Sequence, residues 1–224
     1  MKHMAAVSEK IILERKKRVV AIIKILKGLF PKAKIALRFS NPWELLVAVQ
    51  LSAQCTDKKV NEVTPALFKK YRALKDYVSA NPREFERMIY QTGFYRNKGK
   101  NILAAAKAVK EKFGGWLPRT MAEMVTIPGI GRKSANVILG NAYWVVEGIA
   151  VDTHVIRLSR QLGLTTHADP VKIERDLMAV IPKKEWFPFT YRLINYGRKY
   201  CPARRHDHAQ CPLRRFYIGN KGVK

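Results

Sequence analysis

Residues 127–140 read IPGIGRKSANVILG, with two glycines either side of one aliphatic residue and Arg132 and Lys133 directly behind them. The residues after Gly131 have helical spacing, so Pro128 to Gly131 is a turn that opens a helix. A helix start leaves backbone N–H groups unpaired and carries partial positive charge, and glycines remove the side chains that would hold a phosphate away. Gly129 and Gly131 supply that access, while Ile130 can fold inward and pin the turn. Two readings stay open here. In one, this is a tight inter-helix turn whose basic residues face water; in the other it is a phosphate cradle followed by a nucleophilic lysine.

Composition bears on the choice. The chain has 224 residues, with 43 Lys plus Arg against 17 Asp plus Glu, a formal net charge of +26. That excess is far beyond what solubility needs and implies a polyanionic partner, nucleic acid above all. A hydrophobic content of 47% excludes a disordered basic tail, and the length suffices for a core without metal or disulfide staples. Three cysteines, Cys55, Cys201 and Cys211, are too few and too odd for a secreted disulfide framework, so a reducing cytoplasm is expected, and a nucleic-acid partner would keep the chain at the nucleoid there. No apolar run is long enough to span a bilayer. The basic N-terminus keeps Ile11, Ile12, Val19, Ile22, Ile23 and Leu26 at helical spacing and contains Glu9 and Glu14, which favours a packed helix over a transit peptide.

Outward from the opening stretch the pattern is helical. Alternating β-branched runs are nearly absent, while helix starts recur at Ser8, Asn41-Pro42, Thr56-Asp57, Asn81-Pro82 and Thr120. Breaks at Phe30-Pro31, Gly93, Gly114-Gly115, Gly163 and Pro182 predict an all-α chain of roughly ten helices. Within it, TMAEMVTIPGIGRKSANVILG has apolar helices on both sides of the turn, a helix-hairpin-helix that grips a DNA backbone without reading its sequence. Lys133 at the start of the second helix, beside Arg132, sits in a positive potential that disfavours its protonation, and partial burial would act the same way. An amine so placed is a candidate nucleophile. Asp152, 19 residues on in AVDTHVIRL, reads alone as a helix N-cap.

Four stretches carry a resemblance: LSAQCTD at 51–57, TGFYRNKGKNI at 92–102, IPGIGRKSAN at 127–136 and AVDTH at 150–154. The chain resembles the endonuclease III family of the helix-hairpin-helix (HhH-GPD) DNA glycosylase superfamily, in register from about Ala36 to Cys201. The resemblance implies a bifunctional DNA glycosylase and abasic-site lyase of base excision repair, acting as a monomer on damaged duplex DNA, with oxidised pyrimidines as substrate class. It makes Lys133 the nucleophile that attacks C1′ of a flipped nucleotide and forms a Schiff base, with Asp152 stabilising positive charge at the sugar. It implies DNA contacts from Gln54, Phe94, Gly129, Ile130, Gly131, Arg132 and His154. Gln54 would fill the gap left by flipping and Phe94 would wedge between bases, although Phe94 by itself reads as a core aromatic. Asp57 reads as a cap, or as a residue behind the site, rather than as a catalyst.

The expected organisation is a six-helix barrel over 35–145 that ends in the hairpin, and a second lobe from 1–34 with 146–224, placing Lys133 and Asp152 on opposite lips of a cleft. Alternatives are an 8-oxoguanine glycosylase/lyase of the same superfamily and a non-catalytic basic DNA-binding protein. Most family members hold a [4Fe–4S] cluster on cysteines spaced C-x6-C-x2-C-x5-C. That spacing falls here on Cys201, His208, Cys211 and Tyr217, so two of four thiolates are missing. The expectation is therefore no cofactor: no cluster, and no zinc either, since His206 and His208, one residue apart, converge poorly unless the loop is irregular. Arg204, Arg205, Arg214 and Arg215 should keep the loop basic.

Overall fold

Asn41 and Asn81 each precede a proline, and in the computed structural model of the chain each caps a helix. Their side chains accept from the backbone N–H groups of Glu44 and Glu84, and Thr56, Thr120 and Asp169 do the same for Lys59, Glu123 and Lys172. The structure describes residues 2–218, with side chains from Glu9 onward. Among them there is no strand. The helices are α1 (Lys2–Leu29), α2 (Pro42–Leu51), α3 (Asp57–Lys70), α4 (Leu74–Val78), α5 (Pro82–Ile89), α6 (Tyr95–Phe113), α7 (Met121–Met124), α8 (Arg132–Tyr143), α9 (Thr153–Gln161), α10 (Pro170–Val180) and α11 (Trp186–Lys199). The all-α expectation holds. Ser8 is not a helix start, because α1 is already helical from Lys2 and no glycine or proline before Ser8 interrupts it.

The chain divides into two compact units, Ile35–Glu147 and Met1–Lys34 with Gly148–Lys224. The first holds α2 to α8. Its hub is α2, whose residues Leu45 to Leu51 are all buried, as expected of a helix apolar on every side, and which packs against α3, α6 and α8. Tyr71, Tyr77 and Phe85 form an aromatic cluster beside it, with ring centroids 5.2 to 5.9 Å apart.

The second unit packs α1 against α10 and α11, and α9 against α11. Val19, Ile22 and Leu26 of α1 meet Leu158, Phe189 and Leu193 in its core. Glu185 is buried there and bonded to Lys27 at 2.5 Å and Arg192 at 2.7 Å. Burial raises its pKa, but the two hydrogen-bonded cations outweigh that and hold the carboxyl below the usual range. Residues 144–152 join the units without helix.

Candidate functional site

The opening stretch forms a hairpin between α7 and α8. Ile130 N–H donates to the Ile127 carbonyl at 3.0 Å, closing a tight turn, and the Ile130 side chain is buried as expected. Gly129 has φ +77°, and a Cβ there would lie 3.0 Å from Asn101 Cβ and 3.2 Å from Gln50 Cδ. Gly131 differs: its φ is −90°, in extended backbone, and a Cβ there would meet nothing within 4 Å. Gly129 is thus the conformational glycine. Gly131 is the N-cap of α8, and with no side chain to accept from the first-turn amides it leaves them for an outside acceptor. Arg132 and Lys133 follow, both exposed, so the partial burial considered for Lys133 is absent.

Gln54 and Phe94 occupy two loops of this same unit. Both are exposed, Phe94 at 61%, which removes it from the core where its residue type alone would place it. Their backbones have φ of +52° and +49°, two of the three non-glycine residues with positive φ among those described. Such conformations cost about 1–3 kcal/mol each and persist where surrounding structure enforces them. Close to both lies Lys98, which sequence reasoning missed. Its Nζ is buried and donates to the Leu51 carbonyl at 2.8 Å and the Thr92 carbonyl at 2.7 Å, tying the end of α2 to the turn that carries Phe94. Burial lowers its pKa, with Cys55 acting in the opposite direction. The signal was present: Lys98 shares a helical face with Ile102, Ala105 and Val109, all buried.

Gln50 was also missed. Its Nε2 donates to the Pro128 carbonyl at 2.9 Å, fixing α2 to the hairpin, while its Oε1 is buried with no hydrogen-bond partner. Gln50, Gln54, Phe94, Lys98, Gly129 and Ser134 border one cavity of about 240 Å³. The hairpin and the two loops therefore open onto a common space.

Asp152 and His154 belong to the other unit. Asp152 is the N-cap of α9: Oδ1 accepts from Val155 N–H at 2.8 Å. The cap uses one carboxylate oxygen and leaves Oδ2 with no further hydrogen bond among the described residues. His154, half-buried, packs against α11 where Gly197 makes room, since a Cβ there would lie 2.6 Å from its Nδ1. Asp57 sits in the first turn of α3, next to the Thr56 cap.

Comparison with known proteins places this arrangement. A family model described as HhH-GPD superfamily base excision DNA repair protein matches residues 47–183. The chain is 47% identical to an endonuclease III of Synechocystis sp. over 199 residues, 89% of this chain and 91% of that one. It belongs to the endonuclease III family of the HhH-GPD superfamily. The endonuclease III of Bacillus subtilis is also 47% identical, over 83% of this chain and 84% of its own. A solved structure of a trapped endonuclease III–DNA covalent intermediate superposes with a TM-score of 0.87 at 41% identity, covering 91% of this chain and 95% of that one.

Against that family frame, the expectation of a C-terminal loop without any cofactor is overturned. Cys201, His206, His208 and Cys211 bring one ligand atom each to within 4.8 Å of one another, a group able to hold a metal ion. The histidines converge because the loop is irregular: Asp207 Oδ1 accepts from Ala209 N–H at 2.8 Å and starts a 3-10 turn, His208–Gln210, which swings His208 back onto His206. Their rings meet edge to face at 4.3 Å. A four-iron cluster takes four thiolates, one on each iron. This loop offers two thiolates and two imidazoles, and Tyr217, at the family's fourth position, is bonded through its hydroxyl to Tyr196 at 2.8 Å. The donor set present fits a single ion.

Proposed function

We propose that Lys133 is the nucleophile and Asp152 the electrostatic partner of a DNA glycosylase with abasic-site lyase activity, acting on damaged double-stranded DNA in base excision repair. The observation that carries this is Lys133 standing exposed in the first turn of α8, behind a glycine N-cap, in a chain 41% identical to an endonuclease III that has been trapped covalently on DNA. The first-turn amides of α8 and the turn at Gly129 take the phosphates, fixing the strand without reading its sequence. Gln54 and Phe94 fill the space that a flipped nucleotide vacates. Arg132 and His154 contribute further contacts to the DNA. The chain acts on chromosomal DNA, at the nucleoid.

The amine of Lys133 attacks C1′; the C1′–N bond breaks and its electron pair leaves with the base, which takes up a proton. The lysine nitrogen sheds one proton, and opening of the C1′–O4′ bond, with O4′ taking up a proton, then gives the protonated Schiff base. The iminium acidifies the proton on C2′, whose removal expels the 3′-phosphate oxygen and cuts the strand. Asp152, as an anion, stabilises positive charge developing at the sugar. Oxidised pyrimidines are the substrate class. A panel of single-lesion duplexes treated with borohydride tests the reading: duplexes with an oxidised pyrimidine should give a covalent protein–DNA adduct with wild-type protein and none with Lys133→Gln. An adduct with the variant would move the nucleophile to another amine. Adducts only on 8-oxoguanine duplexes would move the substrate.

A further inference from the structure

We propose that Cys201, His206, His208 and Cys211 bind one zinc ion in a closed tetrahedral Cys2His2 site. This site is independent of the activity proposed above. Zinc–sulfur bonds near 2.3 Å and zinc–nitrogen bonds near 2.0–2.1 Å at tetrahedral angles put sulfur and nitrogen roughly 3.6 Å apart. Cys211 Sγ lies 3.4 Å from His206 Nε2 and 3.6 Å from His208 Nδ1, and Cys201 Sγ lies 3.9 Å from His208 Nδ1. Three edges of one tetrahedron are thus in place from four residues of an irregular loop.

Orientation supports the same assignment. His206 Nδ1 sits 2.9 Å from the Arg204 carbonyl, so Nδ1 carries the proton and Nε2 turns its lone pair toward Cys211. A ligand histidine held by a backbone carbonyl through its other nitrogen is the usual arrangement around zinc. Cys201 is held from outside, its carbonyl accepting from Arg157 Nη2 at 2.5 Å, with Nη1 3.5 Å from Sγ. Charge also favours zinc. Cys201 is fully buried and Cys211 is 4% exposed. Two thiolates, two neutral imidazoles and one divalent cation sum to zero, whereas two buried thiolates alone would not be tolerated. A tetrahedral S2N2 set selects zinc among the common divalent ions.

With four protein ligands there is no open position, so the ion holds structure and takes no part in the chemistry. What it holds is the segment 201–217, from which Arg204, Arg205 and Arg215 project into solvent. Tyr217 closes the inner side, its ring edge-on to His208 at 5.2 Å.

The full chain, expressed in medium containing both zinc and iron and purified without chelator, should contain about one zinc per chain. Cobalt(II) exchanged into the site should show the intense visible bands and sulfur-to-metal charge transfer of a tetrahedral thiolate complex. Cys211→Ser and His206→Ala should each lose the stoichiometric zinc; if either fails to fold, metal content and the cobalt spectrum of the wild-type chain still decide. Iron with labile sulfide at about four atoms per chain would overturn the proposal. So would protein free of metal that takes up no zinc on addition of the ion alone, or stoichiometric zinc retained by folded Cys211→Ser.

Discussion

Asp152 caps α9 and is proposed to act at the sugar, and one substitution separates the two roles. As N-cap of α9 it uses Oδ1 to accept the Val155 amide, and asparagine caps a helix about as well as aspartate. Asp152→Asn should therefore leave thermal stability nearly unchanged while base excision slows by about 10²–10³ or more, the usual cost of losing electrostatic stabilisation. Single-turnover excision and a melting curve on the same sample measure both. A twofold loss of rate would leave only the cap. The two readings of Asp152 in the sequence were thus never exclusive, because a carboxylate has two oxygens. Lys133 was legible as a helix-start lysine, but its exposure was not, since burial is a property of what packs around it.

The hairpin and the loops act as elements. Sequence reasoning gave both glycines the same duty, and tertiary contact divides it. Gly129→Ala should destabilise the chain by about 1–3 kcal/mol, through a side chain at positive φ that meets Asn101 and Gln50. Gly131→Val should cost stability only as a poorer cap, about 1 kcal/mol, yet weaken binding to every duplex alike, because its side chain fills the space a phosphate needs. Melting curves and fluorescence anisotropy on lesion and undamaged duplexes check both; a change of lesion preference in Gly131→Val would remove the hairpin from the role of clamp. Lys98→Met strips two buried carbonyls of their donor and should cost about 2 kcal/mol or more. If Gln54 and Phe94 fill the space a flipped nucleotide vacates, as proposed, this variant should lose more affinity for an abasic-site duplex than for an intact one. Equal losses would make Lys98 a stabilising residue only.

At the scale of the molecule, a net charge of +26 predicts binding governed by phosphates. The logarithm of affinity should fall by about 0.9 per phosphate neutralised for each unit of log salt, so roughly five contacts lose about three orders of magnitude between 50 and 200 mM. Titration of an undamaged duplex at several salt concentrations measures the slope, and a flat response would contradict a backbone clamp. Charge, helical period, the polar and proline starts at Asn41, Thr56, Asn81 and Thr120, and the glycine turn before Lys133 are local properties, and the sequence alone determined from them an all-helical, DNA-directed chain, while the family was legible only through the resemblance of the stretches at 51–57, 92–102, 127–136 and 150–154. Which glycine bears the strain, that Phe94 lies outside the core, that Lys98 ties the end of α2 to the turn before Phe94 and that His206 and His208 meet between Cys201 and Cys211 were decided by tertiary structure. Each depends on groups distant in sequence or on an irregular loop, where no repeat in the residues fixes direction, and only the packed chain sets which atoms come within bonding distance.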